Sequence, residues 1–374
     1  MAAESTLEPW LPMSFRNAIR TVMIILLSAL LVLLAGLALL TRVKTRAIEA
    51  RYPPLGEMID VGGYALHAVH LPRPETADLP PLVFIHGASG NLRDQMGAFR
   101  SHLEGRAEML FIDRPGHGWS ERGGSENDTP DGQADAIARA MRAKGIDRAV
   151  IVGHSFGGAI AASFALAHPD MTEGLVFLAP ASHPWPGGIA WYYTLTNLPV
   201  IGPLFAHTLA LPAGLTRIDS GSACVFAPNP MPADYVAETA PALVLRPGAF
   251  RSNAIDIANF KAYAMRTAPR YREIKAPTVI ITGDSDGIVL AHIHSEGLAQ
   301  AIAGSKLIWV RNLGHKPDYV TTALAVAAIE TVAGRAVDLD AAAREAQAAL
   351  RDDHARCPGG DDAPLGQQAA MSGT

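Results

Sequence analysis

The sequence predicts an α/β protein in which an eight-stranded, mostly parallel sheet has helices on both faces, carries an inserted helical cap, and follows an N-terminal transmembrane helix. Three observations lead there. Short apolar blocks alternate with helix-length segments along most of the chain, the pattern of strands linked by crossover helices. One stretch, residues 182–275, interrupts that alternation and is too long for a plain connection in a compact domain. An uncharged apolar run from Thr21 to Leu40 precedes everything else.

That run reads TVMIILLSALLVLLAGLALL, and at about 1.5 Å per residue it spans roughly the 30 Å of bilayer hydrocarbon. A cleaved leader has an apolar stretch of about 7–15 residues ending in a small-x-small site. Here the run is longer and ends in Leu-Leu-Thr-Arg, so residues 21–41 are expected to be an uncleaved anchor, after a tail at 1–20. Arg16 and Arg20 precede it, and Arg42, Lys44, Arg46 and Arg51 follow. The count, read by the positive-inside rule, puts the larger part in the cytoplasm. The N-terminal charges lie closer to the apolar run, so the side of the membrane stays open.

A basic linker, 42–56, contains Tyr52-Pro53-Pro54. The runs Glu57 to Val61 and Tyr64 to Leu71 flank Gly62-Gly63, a two-residue turn signal, and are expected to form an antiparallel hairpin. The apolar blocks PPLVFIHG, EMLFID, RAVIVGH and GLVFLAP then suit strands buried on both faces, and PTVIITG and KLIWV complete the eight. The core is therefore expected over 57–181 and 276–336, with the cap over 182–275. The cap is rich in aromatics, which mostly pack it onto the core, and its second half, Asn253 to Thr267, is the more helical. Residues 337–374 read as a tail whose last twenty or so positions are disordered by composition.

With 36 acidic and 31 basic residues, a formal net charge of -5 and no long basic run, nucleic acid is not an expected partner. Cys224 and Cys357 form no Cys-x-x-Cys pair and no zinc spacing. No metal or organic cofactor is implied. A single bridge between them is the alternative to free thiols, which the mobile reading of the segment around Cys357 favours. Cysteine usage leaves the compartment undecided.

The chemistry concentrates at Gly153-His154-Ser155-Phe156-Gly157-Gly158, directly after one strand and before a helix-length run. A serine on such a sharp turn needs small neighbours two positions either side, because side chains there would strike the adjoining strand or helix. It then stands at a helix N-terminus, where free N–H groups stabilise developing negative charge. The N–H of the next residue, Phe156, is one candidate oxyanion donor. The serine also needs a base, and the base an acceptor that fixes its tautomer. Among thirteen histidines, His154 points to the opposite side of the turn, and His86 and His117 sit in glycine loops that shape the backbone. His292 and His294 face solvent or the cap hinge. His315, in Asn-Leu-Gly-His past a strand end, lies on the carboxyl edge where open α/β sheets bind ligands. Two aspartates in one turn, Asp284 and Asp286, are candidates for the acid.

These motifs resemble the α/β-hydrolase superfamily from about Glu57 to Gly334, and more particularly its capped esterase, lipase and carbon–carbon hydrolase branches. The matching segments are His86-Gly87-Ala88-Ser89-Gly90, Asp113-Arg114-Pro115-Gly116-His117-Gly118-Trp119-Ser120, the serine turn, Gly283-Asp284-Ser285-Asp286 and Gly314-His315. The order Ser, Asp, His is the one this fold uses. The resemblance implies Asp286 as the acid, three residues after the glycine, and the Ala88 N–H as the second oxyanion donor. Dehalogenases and epoxide hydrolases of the superfamily carry aspartate where this chain has Ser155, and are disfavoured. Esterases, carbon–carbon bond hydrolases and cofactor-free haloperoxidases share the serine arrangement and are not separated by motif alone. The anchor and the apolar cap point to a lipophilic carboxylic ester, a small-molecule substrate met at the membrane. An idle, membrane-tethered binding protein that merely keeps the fold is the reading from another class.

Overall fold

The computed structural model describes residues 13–358. α1 (Met13–Arg51) leads to β1 (Glu57–Asp60), β2 (Ala65–Leu71), β3 (Leu82–Ile85), α2 (Leu92–Leu103), β4 (Met109–Ile112), α3 (Pro130–Ala143), β5 (Ala149–His154), α4 (Phe156–Ala167) and β6 (Thr172–Leu178). The strands lie in the order β1-β2-β4-β3-β5-β6, followed by two described below, and form one eight-stranded sheet. β1 and β2 pair antiparallel, from Glu57 opposite Ala68 to Asp60 opposite Ala65, with Gly62 and Gly63 in the turn at positive φ. From β4 onward every pairing is parallel.

Side chains alternate across the strands, and both faces are covered. On β3, Val83 and Ile85 enter the core shared with α3 and α4, whereas Leu82 and Phe84 enter the opposite core shared with α2. Each such buried Leu, Ile or Phe contributes about 1.5–3 kcal/mol. That double burial is why these strands read as continuous apolar blocks.

After β6 the chain leaves the sheet for the cap: α5 (Trp191–Thr196), α6 (Ile201–Phe205), a π-helical turn at Ala206–Ala210, α7 (Leu211–Leu215), α8 (Ile218–Phe226), α9 (Tyr235–Thr239) and α10 (Pro247–Thr267). α10 ties the cap to the core. Its Asp256, fully buried, accepts from the equally buried Arg114 at 2.7 Å and pairs with Arg122 at 2.8 Å. Phe260 and Tyr263 of the same helix pack into the α3–α4 core. The loop that carries Arg114 is itself held by Asp113, whose carboxylate accepts from the N–H groups of Leu92 and Trp119 and from His67.

β7 (Thr278–Gly283), α11 (Ala291–Ala301), β8 (Lys306–Val310), α12 (Pro317–Val320), α13 (Thr322–Val332) and α14 (Leu339–Ala349) are the remaining elements among the described residues. Three expectations need correction. The segment expected as linker from Arg42 is the last part of α1, which runs unbroken until Tyr52 meets Pro53, a position where helix is disfavoured. Its Ile48, with Tyr52, packs on Ala206, Ala210 and Leu211 of the cap. The segment expected as tail from 337 contains α14, whose Leu339, Ala342, Ala343 and Ala346, with Leu350 just after it, face the α2–α13 core at helical spacing. The disorder expected of the final residues falls mostly at 359–374, outside the described residues.

The third correction concerns the cysteines. Cys224 on α8 and Cys357 are joined in a disulfide across a sequence separation of 133. No spacing motif announces a pairing that only the packing of the cap against the chain's end brings about. Closing so long a loop restricts the unfolded chain strongly. Cys357→Ser is therefore expected to lower the stability by about 2–5 kcal/mol, read as a fall in the chemical-denaturation midpoint of the detergent-solubilised protein, with no shift on adding reductant to the variant.

Candidate active site

β5 ends at His154, α4 begins at Phe156, and Ser155 is the whole of the turn between them. Its backbone lies at φ 53 and ψ -120, a conformation that costs an L-residue on the order of 1–3 kcal/mol. The turn is pinned on all sides: the Ser155 N–H donates to the Leu178 carbonyl, and the Ser155 carbonyl accepts from Gly158 and Ala181. A Cβ at Gly157 would stand 2.3 Å from the Ile85 carbonyl oxygen, and one at Gly153 2.5 Å from that of Gly157. The small neighbours are thus a packing requirement.

His315 follows β8, and Asp286 lies just beyond β7, both on the carboxyl edge above Ser155. The three side chains form one hydrogen-bonded line. The His315 Nδ1–H donates to Asp286 Oδ2 at 2.7 Å, which leaves Nε2 as the acceptor for the Ser155 hydroxyl at 2.9 Å. The other carboxylate oxygen of Asp286 accepts from the N–H groups of Ile288 and Val289. Asp284 is turned elsewhere: its Oδ1 accepts from the Asn312 N–H and the Ser285 hydroxyl.

The imidazole is also held through its backbone. His154 donates Nε2–H to the His315 carbonyl at 2.8 Å, Val225 of the cap accepts from the His315 N–H, and Asn229 accepts from the Gly314 N–H. Burial, then Lys316 and His315, push the His154 imidazole well below its ordinary value, so it stays neutral. Burial likewise depresses His86 and His117, which take part in backbone hydrogen bonds around the Gly87 and Arg114 loops. His292 is exposed. His294 sits at the cap hinge, where burial, with His183 beside it, pushes it down to about 3, and its Nδ1 accepts from the Ser182 and His183 N–H groups.

Ala88 belongs to the turn after β3, and this turn lies against the serine: a Cβ at Gly87 would stand 3.0 Å from that of Ser155. Ala88 and Phe156 both line the cavity above the serine. A cap residue fixes this turn. Asn253 of α10 accepts from the Ser89 N–H at 2.7 Å and donates to the Ser89 hydroxyl, with Ser89 at φ 57. Asn253 was not singled out by sequence reasoning, because its partner is 164 positions away.

The cavity holds about 490 Å³ and is lined largely by apolar side chains, among them Trp185, Ile218, Val244, Leu245, Ile257 and Phe260. That volume suits a small-molecule ligand. At one edge stands a buried charge cluster absent from the sequence reading. Lys316 donates to both oxygens of Asp94 and to Asp318, at 2.8–3.0 Å. Burial opposes the ammonium, but Asp318 and Asp94 more than offset it and hold its pKa above the ordinary value. Asp94, His154 and Asp318 have potential ligand atoms within 4.8 Å of one another, and the cation that these carboxylates hold is the lysine's own.

A family model described as alpha/beta hydrolase fold matches residues 80–317. Among curated relatives, 2-hydroxymuconate semialdehyde hydrolase of Pseudomonas putida is 32% identical over 168 residues, covering 42% of this chain and 57% of its own length. Human (lyso)-N-acylphosphatidylethanolamine lipase is 30% identical over 115 residues, covering 30% of this chain and 33% of its own. Matched segments span between 25% and 57% of the length of such relatives. The crystal structure of the esterase RhEst1 from a Rhodococcus species superposes with a TM-score of 0.56 at 18% identity, over 76% of this chain and 100% of that one, a likeness of fold.

Removing one partner of a buried charge cluster leaves the others uncompensated. Lys316→Met is expected to destabilise the protein by about 3–5 kcal/mol, measured by chemical denaturation, and adding Asp94→Asn and Asp318→Asn should recover most of the loss.

Proposed function

Because the chain belongs to the α/β-hydrolase fold family, we propose that it is a membrane-anchored serine hydrolase that cleaves a lipophilic carboxylic ester through Ser155, His315 and Asp286. The observation that carries this reading is the Ser155–His315–Asp286 line, 2.9 and 2.7 Å long in its two links, at the floor of a largely apolar cavity. In this reading Ser155 Oγ attacks the ester carbonyl while His315 Nε2 takes its proton, and Asp286 keeps the imidazole in the tautomer that can do so. The N–H groups of Phe156 and Ala88 receive the charge that develops on the carbonyl oxygen. His315 returns the proton to the departing alcohol, and water repeats the sequence on the acyl-enzyme.

α1 supplies the anchor: it is long and apolar enough to cross a bilayer and, from Arg16 to Leu33, it is exposed throughout. The disulfide bears on its orientation. Bonds of this kind persist in oxidising compartments, so the catalytic part belongs on the side of the membrane away from the reducing cytosol. The flanking-charge count argues the reverse, but large domains translocate largely regardless of charge, and the count weighs less than a covalent bond. Protease added to intact cells is expected to remove the catalytic part; full protection would reverse the orientation.

An ester panel of graded acyl length, run with and without Ser155→Ala, tests the activity. Hydrolysis should rise with acyl length and vanish in the variant, together with labelling by a serine-directed fluorophosphonate. Asp286→Asn is expected to lower kcat by about 10³–10⁴-fold through loss of the correct tautomer. Asp284→Asn, whose carboxylate meets the Asn312 N–H and the Ser285 hydroxyl but not His315, should stay within a few-fold of wild type; a reversed pair would reassign the acid.

A further inference from the structure

The cap carries an exposed apolar face that neither the core nor the cavity uses. Trp191 is 69% exposed and Val200 80%, and Leu198, Ile201, Leu204 and Leu209 are exposed beside them. No Asp, Glu, Lys or Arg occurs anywhere between Glu173 and Arg217, so this face lacks the charges that ordinarily mark a water-facing surface.

Its position relative to α1 is fixed. Leu34, Leu37 and Ala38 are half-buried, and Thr41 and Ile48 are buried, a spacing that presents one stripe of the helix to the cap. That stripe packs chiefly on Ala206–Ala210, and Thr41 donates to the Thr208 carbonyl at 3.2 Å. The apolar run ends at Leu40, followed by the exposed Arg42, Lys44 and Arg46, which suit the headgroup level. Cap contact therefore begins at Leu34, inside the apolar run. From there to Leu40 is about 10 Å of helix, and interfacial segments bury by about 5–10 Å.

We propose that the face formed by α5, α6 and Ala206–Ala210 is seated in the lipid surface that α1 anchors, at the level of the headgroup–acyl boundary. Its lack of charge, its exposed tryptophan and its continuity with the spanning helix fit a bilayer. Trp191 lies between Ala190 and Tyr193, both of which line the cavity, so the docked face brings the cavity wall to the lipid. This inference rests on the membrane-anchor part of the proposed function and does not depend on the ester chemistry.

The test uses the full-length protein in liposomes whose acyl chains are brominated. Val200→Cys, Leu30→Cys and Met58→Cys are labelled singly with an environment-sensitive fluorophore under non-reducing conditions, so that Cys224–Cys357 stays closed. The label at Leu30, within the spanning run, should lose more than about half its fluorescence and that at Val200, at the headgroup–acyl boundary, a smaller but clear fraction, while the label at Met58, on β1, should lose none. Quenching at Leu30 with none at Val200 overturns the docked face alone. No quenching at either overturns the anchor and the face together. Concentration-dependent energy transfer between Val200 labels without quenching assigns the face to a second copy of the chain and overturns the proposal. All of these readouts are independent of turnover.

Discussion

The backbone of Ser155 sits where an L-residue is strained, and a strained turn persists only if its surroundings over-determine it. Here the parallel sheet does so. The Ile85 carbonyl at the end of β3 presses on Gly157, the Leu178 carbonyl at the end of β6 takes the Ser155 N–H, and the following helix closes the third side. Fold and site are thus one problem: two buried strands flanking β5 must end at matched heights for the hydroxyl to stand clear of the sheet. The same heights bring the ends of β7 and β8 within reach, so that the Asp286 and His315 loops meet the serine without a long excursion.

The cap completes what the sheet begins. It accepts from the His315 N–H through Val225, holds Gly314 through Asn229 and fixes the turn after β3 through Asn253. It is a structural partner of the site as well as the roof of the cavity. α10 is anchored in part by the fully buried Asp256, whose two carboxylate oxygens meet Arg114 and Arg122 of the loop after β4, a directional contact that ties the helix to that loop beside the apolar packing of Phe260 and Tyr263. The disulfide lies one residue from Val225, so the covalent link also bears on the segment that meets the histidine.

Much of the fold was legible because its signals are local. Strands buried on both faces read as unbroken apolar blocks, the hairpin turn needs its two positive-φ glycines, and the serine turn is written in six consecutive residues. The candidate site was legible to the same degree. Ser155 and His315 could be singled out from strand ends and their flanking glycines, but Asp284 and Asp286 differ by two positions in one turn, and residue type alone does not choose between them. In the fold, Asp284 caps the Asn312 turn and Asp286 meets His315. What stayed hidden depends on contacts between distant segments: Cys224 with Cys357, Asn253 with Ser89, Lys316 with Asp94. α14 was missed for a different reason: the segment reads as a polar tail by composition, and the helical spacing of its stripe, made mostly of alanines, shows only when the periodicity is followed.

The continuation of α1 beyond the apolar run has a consequence for how substrate could reach the cavity. A hydropathy profile ends the helix with the last leucine, and a basic linker would then let the catalytic part tumble on a tether. Instead the helix continues to Arg51 and its buried stripe packs on the cap, so under the proposed anchoring the protein's attitude to the membrane would be set by packing. A lipophilic ester is concentrated in the bilayer and scarce in water, and a tethered enzyme with a randomly oriented cavity would gain little from that. If the protein is anchored as proposed, a cap held by α1 would remove the orientational freedom, and with it the entropic cost of finding the productive approach on each encounter. On the proposed reading, the helix that reads as a simple anchor would thereby also be a positioning element for the site.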